Sequence, residues 1–204
     1  MQLILASNNQ GKLSELSAML APLGCSLVAQ GALNIPETCE PFHTFIENAL
    51  AKARHAAMLG QLPALADDAG LCVDAFGGLP GVQTAFYATQ FGYSKSDANN
   101  VRALLEQLQG VTNRRAAMVC TLVAVRSADD PEPLVATGRV VGHIAHAPIG
   151  QQGFGFDPVM VVPELGQTFA QLPVDVKNAY SHRSRAARAM LAMMREHWNL
   201  NSPK

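Results

Sequence analysis

Four short stretches of this sequence carry the residue types that chemistry needs. The first is Ser7-Asn8-Asn9-Gln10-Gly11-Lys12, where an apolar run gives way to helical spacing. Backbone N–H groups and the dipole at a helix start favour an anion, and Lys12 adds a full positive charge. It is not a G-x-x-x-x-G-K-[ST] loop, because Ala6 and Leu13 stand where Gly and Ser or Thr are required. A capping serine with a solvated lysine is the alternative reading. The second is Asp67-Asp68, two adjacent carboxylates that repel unless a cation is present. Hard oxygen ligands of this kind suit Mg²⁺, which takes one or two carboxylates plus substrate phosphates. Glu37 and Glu40 offer a further carboxylate, and a solvent-exposed Asx turn is the alternative.

The third stretch, residues 153–158, reads GFGFDP. Its glycines let backbone approach a ligand, Phe154 and Phe156 offer stacking faces, and Asp157 is an acceptor. Pro158 breaks the dinucleotide pattern G-x-G-x-x-G, and core phenylalanines in a turn are the alternative. The fourth gathers Lys177, His182, Arg183, Arg185 and Arg188 around the last helix. With Ser181 as N-cap, His182 and Arg183 fall at the helix start, where the dipole disfavours cations. An anionic or carbonyl-bearing ligand would offset that penalty; a solvated basic face is the alternative.

The elements that must position these residues follow from periodicity. Residues 2–6 read as a strand, and Leu13, Leu16, Met19 and Leu20 as a helix after the polar loop. Residues 25–30 suggest a second strand, and 34–43 a polar loop with Pro36 and Pro41. Thr44 and Glu47 form a T-x-x-E capping box for a helix running to Met58, with Phe45, Ala49, Ala53 and Ala56 on one side. Two short apolar runs, 64–66 and 71–75, flank an Asp67-Asp68-Ala69-Gly70 turn. Gly77, Gly78, Pro80 and Gly81 make a tight loop before a helix over 96–109. Val-rich runs at 118–126 and 134–144 read as an antiparallel pair, and a Gly-rich loop over 148–158 leads into a strand at 159–162. A helix over 181–197 and a short polar tail end the chain. This mixture without strict βαβ alternation predicts an α/β fold with a mixed, twisted sheet and flanking helices.

Composition removes other classes. The chain has 204 residues, 15 Lys+Arg against 16 Asp+Glu, so no basic excess exists to neutralise a nucleic-acid polymer. The apolar runs fall far short of the ~20 residues of a membrane span, and Ser7 to Gln10 arrive too early for a signal-peptide core. A cytoplasmic protein is expected. Its four cysteines lack a C-x-x-C pair, which argues for free thiols. His143 and His146 would face opposite sides of a strand, so they make no chelate.

Taken in order, LILASNNQGKLSEL, TFIENALAKARHAA, LADDAGLCVDAFGGLPGV, GFGFDPV and KNAYSHRSRA resemble the inosine/xanthosine triphosphate pyrophosphatases, which act on noncanonical purine nucleotides. The resemblance covers almost the whole chain, 1–204, as a single pyrophosphatase domain. It implies two lobes around a deep nucleotide groove, a homodimer, and Mg²⁺-dependent hydrolysis of ITP, dITP or XTP to monophosphate and pyrophosphate, clearing deaminated purines from the nucleotide pool. By the same resemblance Ser7, Asn8, Asn9, Gln10, Gly11, Lys12 and Lys52 hold the triphosphate. Glu40 and Asp68 hold the metal, and Asp68 is also the base that activates water. Ala69 adjoins the acids, Phe154 stacks on the purine, and Gly155, Phe156, Asp157, Lys177, His182 and Arg183 surround the base.

The chain departs from the family pattern at four places. Asn8 stands where glycine is usual, Ala69 where serine is, Phe86 where arginine is, and Ser184 where glycine is. These leave open a related pyrophosphatase with another nucleotide preference, or a nucleotide-binding protein without turnover.

Overall fold

The computed structural model describes residues 1–200; the end of the polar tail, 201–204, lies outside the described residues. Seven strands make one sheet: β1 (Gln2–Leu5), β2 (Ser26–Ala29), β3 (Ala64–Val73), β4 (Arg115–Val125), β5 (Leu134–Ile144), β6 (Met160–Val162) and β7 (Gln167–Thr168), in the order β2-β1-β3-β4-β5-β6-β7. β1 pairs in parallel with β2 and β3, whereas β5–β6 and β6–β7 are antiparallel. The sheet is mixed and the fold α/β, as expected. The flanking helices are α1 (Gln10–Leu20), α2 (Phe45–Gly60), α3 (Asp97–Gln107), α4 (Val174–Tyr180) and α5 (His182–His197).

The chain divides into two compact units, with β3 passing from the first to the second after Asp68. Unit 1 holds residues 1–68, 120–138 and 183 onward. Its core sets Ala49, Ala53, Ala56 and Ala57 of α2 against Ile4, Ala64 and Ala66. Small residues let this helix lie close to the sheet: a Cβ on Gly60 would collide with Ile4 Cδ1. Thr44 caps α2 by accepting from the Glu47 N–H, as the sequence pattern predicts. Unit 2 holds residues 69–119 and 139–182, and packs Leu71, Leu104, Met118, Ile144, Phe156 and Phe169 into its own core.

One reading is corrected. Asp67-Asp68-Ala69-Gly70 is no turn but the middle of the continuous strand β3. Its composition suggested a turn because two carboxylates in a buried strand are costly, but strand alternation sends them to opposite faces, where each meets a lysine. The helix expected over 181–197 is α5, and a short helix that periodicity did not suggest, α4, precedes it and ends at Tyr180.

Candidate active site

Asn9, rather than Ser7, caps α1: its Oδ1 accepts from the Lys12 N–H at 3.0 Å, while its own N–H donates to Ser7 Oγ at 3.2 Å. The loop therefore holds itself against the helix start, with Gln10 and Gly11 as the first two helical residues. Asn8 is directed elsewhere. Its amide donates to Glu37 Oε1 at 3.1 Å, and its Oδ1 accepts from the Gly31 N–H at 2.9 Å.

Lys12 is not simply solvated. Its ammonium lies 2.5 Å from Asp67 Oδ1, and Asp67 is buried. Asp67 Oδ2 accepts from Arg183 Nε at 2.8 Å and from Cys120 Sγ at 3.2 Å. Arg183, itself buried, also donates to Glu15 Oε2 at 2.6 Å. Lys12 and Glu15 are three residues apart on one helix face, so α1 grips the Asp67–Arg183 pair with one charge of each sign. The cation penalty at the start of α5 is thus offset by two carboxylates of the protein itself. Burial works to raise the Asp67 pKa, but Arg183 and Lys12 outweigh it and hold the carboxyl well below the usual range. With both oxygens facing cations, Asp67 is no metal ligand.

Asp68 differs. Its Oδ1 accepts from Lys52 Nζ at 2.8 Å, and the same ammonium donates to Glu40 Oε2 at 2.9 Å. Lys52 projects from α2, which brings helix, acid loop and strand together. Burial and the nearby Glu40 push the Asp68 pKa up, partly opposed by Lys52, to about 6. Burial by itself would lower the Lys52 pKa, yet Asp68 and Glu40 raise it. Asp68 Oδ2 is buried without a hydrogen-bond partner among the described residues. An unpartnered carboxylate oxygen beside a second carboxylate is what a divalent cation satisfies, so Asp68 and Glu40 fit one. Among the described residues no cluster of three or more His, Cys, Asp or Glu could hold a metal, so the remaining ligands would be water or substrate oxygens. Ser7, Lys12, Glu40, Lys52 and Asp67 line a cavity of about 110 Å³.

In unit 2 the Gly-rich loop presents Phe154. Its N–H donates to Asp157 Oδ2 at 2.9 Å, the same oxygen accepts from Lys177 Nζ at 2.8 Å, and the Lys177 ammonium lies 4.7 Å from the Phe154 ring centroid. Gly153 has φ +80° and no room for a side chain, since a Cβ would strike Asp157 Oδ2. Asp97, in the first turn of α3, anchors the Gly155 N–H at 2.8 Å. Phe154 is half-buried and lines a cavity of about 380 Å³ with Asp97, Val101, Pro148 and Gly153. Phe156 is buried in the core, so the stacking reading rests on Phe154 alone. His182 is buried, its ring centroid 6.4 Å from that of Phe169. Arg185 and Arg188 are exposed on α5.

The sequence reading thus placed Ser7, Asn9, Lys12, Lys52, Glu40 and Asp68 in one neighbourhood of unit 1, and Phe154, Gly155, Asp157 and Lys177 in one of unit 2. Ala69 follows Asp68 on β3 and is half-buried. Glu15 and Asp97 were missed. The i,i+3 spacing from Lys12 could have suggested Glu15; Asp97 gave no signal beyond following the cap Ser96.

Comparison with other proteins identifies the family. A sequence model of the Ham1 family matches residues 3–193. The chain is 76% identical over 198 residues to the dITP/XTP pyrophosphatase of Albidiferax ferrireducens, covering 97% of this chain and 100% of that protein. It is 72% identical to that of Paracidovorax citrulli with the same coverage. Among solved structures, a HAM1 protein from Coxiella burnetii aligns with TM-score 0.89 at 38% identity, covering 96% of this chain and 99% of that one. The Staphylococcus aureus Ham1 protein aligns with TM-score 0.85 at 35% identity, covering 97% and 100%.

Proposed function

The chain belongs to the Ham1 family, and from that premise we propose that it is a nucleoside triphosphate pyrophosphatase acting on dITP, XTP and ITP, one enzymatic domain across its length. Its relatives at 72% and 76% identity carry the name dITP/XTP pyrophosphatase. The observation that carries the reading is the Asp68–Lys52–Glu40 cluster beside the capped start of α1.

Ser7, the loop through Asn9, Gln10 and Gly11, Lys12 and Lys52 take the triphosphate. Asp68 and Glu40 hold Mg²⁺, which supplies charge neutralisation to the phosphates when bound. The Asp68 carboxylate takes a proton from water as the water oxygen bonds to the α-phosphorus. The bond from that phosphorus to the bridging oxygen breaks, and pyrophosphate leaves with the electron pair. Burial and the nearby Glu40 raise the basicity of the Asp68 carboxylate in the metal-free protein, in the direction a proton acceptor needs. Phe154 stacks on the purine, a contact that accepts any base. Asp157, Lys177, His182 and Arg183 read the base edge, and Asn8, Ala69, Gly155 and Phe156 serve as backbone around the substrate. A donor aimed at a 6-oxo oxygen meets the adenine amino group donor to donor, which disfavours ATP.

Two assignments extend the reading. The working form is a homodimer, which sedimentation well above the 21.7 kDa chain mass would support. The setting is cytoplasmic, where the nucleotide pool is; among the described residues no helix is long and apolar enough to cross a membrane. The decisive experiment measures products and rates with ITP, dITP, XTP, GTP and ATP in the presence of Mg²⁺. Monophosphate and pyrophosphate in equal amounts, fastest from the first three, is the expected result. Diphosphate and orthophosphate would overturn it.

A further inference from the structure

The buried carboxylate next to the metal-binding acid has no role in the chemistry described so far, yet it is the more completely engaged of the two. Asp67 is 1% exposed and meets three groups from three separate parts of unit 1. Lys12 Nζ lies against Oδ1 and 3.4 Å from the Asp67 carbonyl oxygen; Arg183 Nε and Cys120 Sγ donate to Oδ2. Arg183 is held a second time by Glu15. The Oδ2 side is therefore fixed by groups that are themselves packed, and the direction of Oδ1 is fixed with it. Lys12 is the flexible member. Its side chain has four rotatable bonds, so an ammonium at the end of it needs a partner to occupy one position.

We propose that Asp67 is a positioning residue that sets the Lys12 ammonium for the outer phosphates, with Arg183 and Cys120 acting as the brace that keeps the carboxylate from turning. The proposal rests on the reading of Lys12 as a triphosphate ligand. It adds that the lysine is preorganised, so that binding need not order a free side chain.

The informative variant is Asp67→Asn. An amide offers one acceptor oxygen where the carboxylate offers two. Lys12 and Arg183 both donate, so only one can be satisfied. Glu15 keeps Arg183 in place, and Lys12 loses its carboxylate partner, keeping only the 3.4 Å contact to the residue 67 carbonyl oxygen. Inhibition of the Mg²⁺-loaded enzyme by inorganic pyrophosphate and by IMP then separates the outer-phosphate end from the rest. In Asp67→Asn the inhibition constant for pyrophosphate and the KM for ITP should rise about tenfold to hundredfold, the span of a lost charge-assisted hydrogen bond. The constant for IMP should rise by a smaller factor, because Glu15 still holds the Arg183 guanidinium. In a Lys12→Met background the same substitution should add no further loss of pyrophosphate affinity, because its effect passes through the lysine. Unchanged pyrophosphate inhibition in a folded Asp67→Asn enzyme would overturn the proposal, as would equal losses for pyrophosphate and IMP, which mark general structural damage.

Should the Asn variant not fold, the unmodified protein decides. The Lys12 ammonium, assigned by its disappearance in Lys12→Arg, should exchange its protons with water slowly without nucleotide. Exchange as fast as that of surface lysines overturns the preorganisation. Failure of the wider reading looks different: wild-type enzyme would release orthophosphate, or none of the nucleotides would turn over.

Discussion

Asp67 and Asp68 are consecutive residues of β3, yet their carboxylates meet different lysines, Lys12 and Lys52 respectively. The alternation of a strand does this without any bend in the backbone. It divides two like charges between two faces and gives them opposite properties. One is saturated by cations and held well below the usual carboxylate range; the other retains a buried oxygen without a hydrogen-bond partner among the described residues, and burial pushes its pKa up to about 6.

That difference predicts the effect of Asp68→Asn. The amide keeps the size of the side chain and can still accept from Lys52, but it cannot take a proton from water. Turnover of ITP should fall by about 10² to 10⁴, the range for a positioned base, while nucleotide binding measured by calorimetry persists. A variant with near-normal kcat would remove Asp68 from the chemistry.

The two acids should also tilt stability in opposite directions with pH, in chelator-treated protein. Asp67 has a folded pKa below its unfolded value, so its contribution is present above about pH 4 and is lost as pH falls. Asp68 has a folded pKa near 6, so its contribution is present below about pH 4 and is lost as pH rises through 6. Denaturant titrations should show the stability gap between wild type and Asp67→Asn shrinking on acidification. The gap between wild type and Asp68→Asn should move against the wild type between pH 4 and 6. Parallel pH curves for all three proteins would contradict the assignment.

Gly153 is the residue on which the presentation of Phe154 depends. Gly153→Ala forces a side chain onto a left-handed backbone and into the Asp157 carboxylate that holds both the Phe154 N–H and Lys177. KM for ITP and for ATP should rise together by about tenfold, the equivalent of roughly one lost anchoring contact. A steady-state comparison that finds the ratio of the two KM values changed, or neither value moved, would count against the role given to this loop.

Asn8 makes the opposite prediction, that an alteration in the phosphate loop leaves substrate binding alone. Its amide is committed to Gly31 and Glu37, so Asn8→Gly should cost about 1 kcal/mol of stability through two lost hydrogen bonds at an exposed site. The KM for ITP should stay within about twofold, well inside one lost contact. A large rise in KM would place the Asn8 side chain at the phosphates instead.

Much of this was legible in the sequence. Helix caps are local, so Thr44 with Glu47 declared itself through spacing. The phosphate loop stood out because a strand–loop–helix transition is written in a dozen residues. What was not legible depended on partners far away in the chain. Nothing near Asp67 announces Arg183, so the acid pair read as a turn and the arginine's carboxylate partners went unseen. Phe156 and Phe154 look alike in GFGFDP, and only the packing around Leu104 and Phe169 separates a core ring from a presented one. Family resemblance supplied Lys52 and chose Glu40 over Glu37; periodicity alone gave no reason to bring together two residues 12 apart.

The pairing of Asp67 with Arg183 spans 116 positions, which has a bearing on biogenesis. A nascent chain emerges amino end first, so β3 leaves the ribosome long before the first turn of α5. Every segment of unit 2 is already synthesised by then, whereas unit 1 still lacks the cation that braces its most deeply buried acid. Unit 1 therefore closes last, once residue 183 has emerged, and a chain arrested before residue 183 would offer chaperones and proteases a half-finished charge network in place of a folded enzyme.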